Sequence, residues 1–161
     1  MGEPAEKIAD GTGDSGAGLT AEEKKVAVLL EDSTPNRRIM ATILTKVGFE
    51  VKEAINGKEG LTIVNECFDN GIKIDLFMSD IMMPEMDGFQ FLEKIRTKSE
   101  LDAIPFVFVT ALANKDDIKR AQEMKASGYL LKPIVANQML KKIVALFPDL
   151  DGNAKKLMAG A

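Results

Sequence analysis

The chain has 161 residues, of which 45% are hydrophobic and 29% charged, and these values predict one globular domain with a sizeable core. Its formal net charge of −4 gives no support for sequence-independent nucleic-acid binding, which needs a basic surface. The absence of histidine excludes Ser-His-Asp and Cys-His catalysis, histidine-ligated zinc, and a phosphohistidine carried by this chain.

Five apolar runs alternate with segments of helical periodicity along the chain. The runs predict strands at about 26–31, 50–54, 74–79, 105–110 and 128–131. The segments between and after them predict helices at about 35–48, 56–70, 88–95, 114–127 and 135–147. This alternation favours an α/β fold with a doubly wound, five-stranded parallel sheet, flavodoxin-like strand order 2-1-3-4-5 and five helices.

The two ends of the chain are expected to lie outside the folded domain. Residues 1–24 are rich in glycine and poor in apolar side chains, so they predict a disordered N-terminal tail. Residues 149–161 are interpreted as a flexible C-terminal tail, which leaves residues 25–148 as the domain. The segment after residue 148 is too short for an output module, so the expectation is a single-domain protein.

Polar side chains follow four of the predicted strands, at the point where each strand ends: Glu31, Asp32, Asp80, Thr110 and Lys132. Because the carboxyl ends of parallel strands meet at one edge of a sheet, these side chains are expected to converge. Three carboxylates, a hydroxyl and an ammonium suit an oxygen-ligated divalent metal together with a phosphoryl group. Each residue alone has an ordinary alternative, such as Asp32 capping a helix, so the convergence carries the interpretation.

The motifs around these residues resemble those of the receiver domain of two-component response regulators, in particular stand-alone chemotaxis regulators. Asp32, Asp80, Thr110 and Lys132 are separated by 48, 30 and 22 residues, as in that family. The resemblance covers about residues 25–148, and the motifs that carry it are Glu31-Asp32-Ser33, Asp80-Ile-Met-Met-Pro84-Glu-Met-Asp-Gly88, Val109-Thr110-Ala111 and Tyr129-Leu-Leu-Lys132-Pro133.

The resemblance implies a role in phosphoryl transfer for three of these residues. Asp80 would accept a phosphoryl group from a partner's phosphohistidine and become an aspartyl phosphate. Thr110 would donate its hydroxyl to a phosphoryl oxygen, and Lys132 would ion-pair with Asp80 and then with the phosphoryl group. The peptide bond between Lys132 and Pro133 would be cis.

The same resemblance implies a metal site and a switch. Mg²⁺, or alternatively Mn²⁺, would be held directly by the carboxylates of Asp32 and Asp80 and by the backbone carbonyl of Met82, and through water by Glu31. Tyr129 would rotate inward as Thr110 moves, and this would reshape the face made by the fourth helix, fifth strand and fifth helix. The alternative for Tyr129 is an ordinary half-buried aromatic at a sheet edge.

The expected function is that of a response regulator in a phosphorelay, with intrinsic autophosphorylation and autodephosphorylation, rather than a metabolic enzyme. Its partners would be a histidine kinase or histidine phosphotransfer protein and a downstream protein on the reshaped face, without nucleic acid or membrane insertion. Cys67 is the single cysteine, and the expected location is cytoplasmic. Two alternatives remain: a pseudo-receiver that is never phosphorylated, and an aspartate-nucleophile phosphohydrolase. The latter would need an acid where Met82 stands.

Overall fold

A computed structural model describes residues 24–111 and 114–160. Five parallel strands form one sheet in the order β2-β1-β3-β4-β5. The strands are β1 (Lys25–Leu30), β2 (Phe49–Ala54), β3 (Leu76–Ser79), β4 (Phe106–Thr110) and β5 (Gly128–Leu131). The predicted fold class and strand order are therefore confirmed.

Helices connect the strands and cover both faces of the sheet. They are α1 (Thr34–Val47), α2 (Gly57–Asp69), α3 (Gly88–Arg96), α4 (Ser99–Asp102), α5 (Lys115–Glu123), α6 (Ala136–Leu146) and α7 (Asp151–Gly160). The predicted number of five was wrong, since the described ranges contain seven. The two additions are α4, a single turn, and α7 after the last predicted helix, so the predicted fourth and fifth helices correspond to α5 and α6.

Short polar side chains fix where α1 and α2 begin. Asn56 caps α2, and its side-chain oxygen accepts a hydrogen bond from the Glu59 N–H at 2.8 Å. The cap of α1 is Ser33, which accepts from the Asn36 N–H at 3.4 Å. The capping role considered for Asp32 thus belongs to its neighbour, and the Asp32 side chain is not used to begin the helix.

The core consists of two layers, one on each face of the sheet. Alternate residues of β4 enter opposite layers because successive side chains of a strand point to opposite faces. Phe106 and Phe108 pack in an aromatic layer against α2 and α3. Val107 and Val109 pack in an aliphatic layer against α1 and α6. All five residues of β4 are buried, as expected for a central strand covered on both faces.

The predicted C-terminal tail was wrong, because residues 149–160 form an ordered part of the fold. A 3₁₀ turn (Pro148–Leu150) leads into α7, and the Asn153 side-chain amide donates to the carbonyl oxygen of Val47 at 2.9 Å. Leu150 and Ala154 are buried. Four apolar residues of this segment have helical spacing in the sequence: Leu150, Ala154, Leu157 and Met158. Asp149, Gly152 and Asn153 lie among them and favoured the interpretation as a flexible tail.

The predicted N-terminal tail, residues 1–24, lies outside the described residues except for Lys24. Within residues 24–111 and 114–160, no helix combines the length and the apolar character that a membrane span requires. The lower limit of the domain, residue 25, remains a prediction from the sequence.

Candidate functional site

The candidate site lies at the carboxyl edge of the sheet, where β1 and β3 end side by side. The Asp80 N–H donates to the Leu30 carbonyl at 3.0 Å, which continues the pairing of β1 with β3 past their last residues. The Glu31 N–H donates to the Ala54 carbonyl at 2.9 Å and so continues the pairing with β2. Glu31 and Asp80 are therefore held by the sheet itself.

Three carboxylates meet at this edge, and we refer to Glu31, Asp32 and Asp80 as the acidic cluster. One oxygen of each lies within 4.8 Å of the others. Glu31 and Asp80 are buried, whereas Asp32 is exposed. Burial, reinforced by the charge of Asp80, raises the pKa of Glu31, and hydrogen bonds from Lys132 and the Ser33 N–H oppose this effect. Such a group of like charges is costly unless a cation lies among them.

Lys132 supplies positive charge to two members of the acidic cluster. Its Nζ lies 2.6 Å from Asp80 Oδ2 and 2.7 Å from Glu31 Oε1. Burial alone would lower the pKa of Lys132, but the hydrogen bonds to Asp80 and Glu31 outweigh it and raise the pKa. The Lys132 N–H donates to the Thr110 carbonyl at 3.0 Å, and the peptide bond to Pro133 is cis, as the resemblance implied. The ammonium is thus charged and fixed beside the two buried carboxylates.

The loop after Asp80 folds closely around that carboxylate. Asp80 Oδ1 accepts from the Ile81 N–H at 2.6 Å and more weakly from the Met82 N–H at 3.4 Å. The Gly88 N–H donates to the Ile81 carbonyl at 2.8 Å, and a Cβ atom at residue 88 would overlap the carbonyl oxygen of Asp80. Only glycine lets α3 begin so close to the end of β3.

Thr110 and Tyr129 lie on β4 and β5, beside this edge. Thr110 is the last residue of β4 and is buried. Tyr129 is half-buried on β5, with its ring centroid 6.4 Å from that of Phe108. Burial raises the pKa of Tyr129, and the charges of Asp117 and Asp80 add to this effect. The tyrosine is therefore neutral and packed against the aromatic layer.

The acidic cluster has the donor atoms that a hard divalent cation prefers. All three side chains offer carboxylate oxygen, the ligand type of Mg²⁺, and their mutual distances place them around one point. Met82 follows Asp80 by two residues and exposes 60% of its surface. The role predicted for the Met82 carbonyl as a ligand stays a prediction.

Comparison with known proteins assigns the fold and the motifs to one family. Residues 27–144 match the family described as response regulator receiver domain. The chain belongs to this family. It is therefore a signalling domain of two-component systems, and the resemblance inferred from the motifs is confirmed.

Two relatives and one solved structure illustrate the similarity. This receiver is 29% identical over 133 residues to a probable chemotaxis protein CheY of Rhizobium etli, covering 82% of this chain and 99% of that protein. It is 34% identical over 116 residues to a probable transcriptional regulator, ycf29, of Porphyra purpurea, covering 72% of this chain and 53% of that protein. The chain thus spans about half the length of the latter relative. The structure of the chemotaxis protein CheY4 of Vibrio cholerae aligns with a TM-score of 0.70 and 25% identity, covering 76% of this chain and 98% of that one.

The structure adds one residue to the receiver site that the sequence did not single out. Arg37, on α1, donates from Nη1 to the backbone carbonyl of Glu31 at 2.9 Å. An arginine in the first turns of an amphipathic helix usually faces solvent, and no motif marked this one. Only the position of α1 beside the end of β1 reveals the contact.

Proposed function

We propose that this receiver accepts a phosphoryl group on Asp80 from a phosphohistidine of a partner protein and signals by phosphorylation-dependent protein binding. The observation that carries this proposal is the environment of Asp80. Its carboxylate is buried at the carboxyl edge, ion-paired with Lys132 at 2.6 Å, and within 4.8 Å of the two other carboxylates of the acidic cluster.

The proposed chemistry is the attack of a carboxylate oxygen of Asp80 on phosphorus. The bond from phosphorus to the partner's imidazole nitrogen breaks as the new bond to oxygen forms, which leaves an aspartyl phosphate. The ammonium of Lys132, which is ion-paired with Asp80, also comes to pair with a phosphoryl oxygen. The hydroxyl of Thr110 donates a hydrogen bond to a second phosphoryl oxygen. Both residues stabilise charge that grows on these oxygens during the transfer.

The acidic cluster would hold Mg²⁺, with the Met82 carbonyl as an additional ligand and Mn²⁺ as the alternative ion. When bound, the ion would neutralise charge on the phosphoryl oxygens. Lys132 already stabilises Glu31 and Asp80 as a fixed charge. The third member of the acidic cluster, Asp32, has an exposed carboxylate. Among the described residues, Lys132 forms ion pairs with the other two members and not with Asp32.

The output of the receiver is proposed to pass through Thr110 and Tyr129 to the face made by α5, β5 and α6. Tyr129 is half-buried and contacts Phe108 of the aromatic layer, so a rotation of its ring would change the packing below that face. The upstream partner is a histidine kinase or a histidine phosphotransfer protein. The downstream partner is a protein that binds the reshaped face in the phosphorylated state.

The test is phosphorylation of the full chain by a small phosphodonor. Wild type, Asp80→Asn and Asp69→Asn are incubated with acetyl phosphate or phosphoramidate, in Mg²⁺ or in EDTA, and intact mass is measured. Asp69 is exposed at the end of α2 and provides the matched control. We expect one phosphoryl group on wild type and on Asp69→Asn in Mg²⁺ only, and none on Asp80→Asn.

Other results would favour the alternative functions. No phosphorylation of wild type in Mg²⁺ would indicate a pseudo-receiver that acts only as a binding module. Repeated turnover of p-nitrophenyl phosphate would indicate a phosphohydrolase, although Met82 offers no general acid. Undiminished phosphorylation of Asp80→Asn would refute the assignment of the phosphoacceptor.

A further inference from the structure

The guanidinium of Arg37 joins three elements next to the acidic cluster. Nη1 donates to the Glu31 carbonyl at 2.9 Å, at the end of β1. Nε lies 3.1 Å from Oε1 of Glu53, near the end of β2. The Arg37 side chain is only 16% exposed although it belongs to a surface helix. Its planar, directed donors can hold both acceptors at once, which a single ammonium does less well.

Contacts of both the side chain and the backbone of Glu31 hold the turn between β1 and α1 in place. Glu31 Oε2 accepts from the Ser33 N–H at 3.0 Å, and Glu31 Oε1 lies 2.7 Å from Lys132 Nζ. Arg37 holds the backbone carbonyl of the same residue. That carbonyl is part of the planar peptide group between Glu31 and Asp32, so holding it fixes the N–Cα bond from which the Asp32 side chain leaves the turn.

We propose that Arg37 is a positioning residue for the acidic cluster. It orients the peptide group between Glu31 and Asp32 so that the exposed Asp32 carboxylate stays within 4.8 Å of the other two. Arg37 acts through this peptide and contacts neither a cation nor a phosphoryl group. The inference rests on the proposed Mg²⁺ site of the same cluster and adds a residue that determines its affinity.

Charge and position predict opposite effects of removing Arg37. A positive charge near a cation site repels the cation, so its removal by itself strengthens Mg²⁺ binding. Loss of the peptide's orientation weakens Mg²⁺ binding, because a mobile Asp32 carboxylate loses conformational entropy when it binds the ion. Arg38 is the next residue on α1 and is exposed. Its replacement removes the same charge from the same helix turn without touching the Glu31 carbonyl.

The experiment is a calorimetric titration of the unphosphorylated full chain with Mg²⁺ alone. The proteins are wild type, Arg37→Met, Arg37→Lys and Arg38→Met. We expect Arg37→Met to raise the dissociation constant for Mg²⁺ about tenfold, in the range typical for partners that orient metal ligands. Arg37→Lys should lose part of the affinity, and Arg38→Met should bind as wild type or slightly more tightly.

The outcomes separate this inference from the proposed function. If wild type binds Mg²⁺ and Arg37→Met binds it equally well or more tightly, the positioning role is overturned and the site is not. Equal weakening in Arg37→Met and Arg38→Met would also overturn it. If wild type binds no Mg²⁺, the proposed metal site and the inference both fail. Circular dichroism checks folding, and if Arg37→Met does not fold, wild-type affinity in Arg37→Lys overturns the inference.

Discussion

The two edges of the sheet are built from different kinds of residue. At the carboxyl edge, buried polar groups of Glu31, Asp80 and Thr110 lie close to the exposed carboxylate of Asp32, and Lys132 lies between two of the carboxylates. At the amino edge, the chain closes over the sheet mainly with apolar contacts, beside a partly exposed ion pair of Lys25 with Asp149 at 3.1 Å. Phe49 at the start of β2 packs edge-on against Phe147 at 5.4 Å between ring centroids, and Leu150 is buried beside them.

The contrast indicates that the carboxyl edge serves the chemistry of the site and the amino edge contributes more to the stability of the fold. Like charges at the carboxyl edge repel each other and burial disfavours them, so that edge adds little to the free energy of folding. Apolar burial at the amino edge favours folding by roughly 25 cal/mol for each Å² removed from water. Substitutions at the first edge should therefore change chemistry more than stability, and those at the second edge the reverse.

Asp80→Asn should give the largest effect, a complete loss of phosphorylation with no loss of stability. The amide has nearly the shape of the carboxylate but is not a nucleophile, and its neutrality relieves repulsion within the acidic cluster. We expect the free energy of unfolding in urea to be unchanged or higher by about 1 kcal/mol. A destabilisation of more than about 1 kcal/mol would contradict the assignment of stability to the amino edge. The charge of Asp80 would then be needed for folding through its ion pair with Lys132.

Leu150→Ala tests the amino edge. Leu150 is buried against the aliphatic layer, so its truncation should cost about 3 kcal/mol and lower the melting temperature by about 10 °C. Below the melting temperature of the variant, Asp80 should still be phosphorylated. Gly152→Ala is the control on the same terminal segment, since a Cβ at residue 152 meets no atom within 4 Å. It should leave the melting temperature unchanged or raise it, and an equal drop in both variants would contradict the assigned packing.

The sequence predicted the sheet and the candidate site because both follow from simple periodic rules. Each buried strand is an uninterrupted apolar run, and the polar residue after it must lie at the carboxyl edge. Glu31 and Asp80 meet there as expected, although 49 residues separate them.

The sequence did not predict α7, α4 or the contact of Arg37, each for a different physical reason. The helical spacing of Leu150 and Ala154 was present, but what makes α7 stable is the surface of α1 and α6, which the sequence does not display. The helix α4 is one turn, too short for any periodicity to mark it. Arg37 has an ordinary surface sequence context, and its contact with the Glu31 carbonyl depends on the angle at which α1 leaves β1.

The lifetime of the phosphoryl group gives a smaller effect at the carboxyl edge. Hydrolysis needs a water molecule in line behind phosphorus, and Met82, two residues after Asp80, cannot orient water by hydrogen bonding. Leu112, two residues after Thr110, is equally apolar and lies outside the described residues. We expect wild type to keep its phosphoryl group for minutes. Met82→Asn combined with Leu112→Glu should shorten this about tenfold, which corresponds to roughly 1.4 kcal/mol in the barrier.

Single-turnover decay of the phosphorylated protein in excess Mg²⁺ measures this lifetime. Met82→Leu is the matched control, because it replaces one apolar side chain with another and should decay as wild type does. Wild-type decay within seconds would disprove the expectation. So would a double variant that decays no faster than wild type.

Deleting residues 1–23 should give the smallest effect of all. The described contacts at the start of the domain begin after this segment. The Lys25 N–H donates to the Gly48 carbonyl at 3.2 Å, and the Val26 N–H donates to Asp75 Oδ2 at 2.8 Å. The deleted residues are rich in glycine and poor in large apolar side chains, so they have little apolar area to bury. We expect the melting temperature to change by less than about 2 °C and phosphorylation to be unaffected.

The matched truncation at the other end of the chain makes this result informative. Removing residues 149–161 deletes Leu150 and Ala154 from the aliphatic layer and should lower the melting temperature by about 10 °C or more in the same assay. Both truncations shorten the chain by a terminal segment, so the difference between them measures packing at the amino edge rather than chain length. A drop of more than a few degrees on deleting residues 1–23 would mean that this segment also packs on the domain. The amino edge would then owe its stability to both ends of the chain.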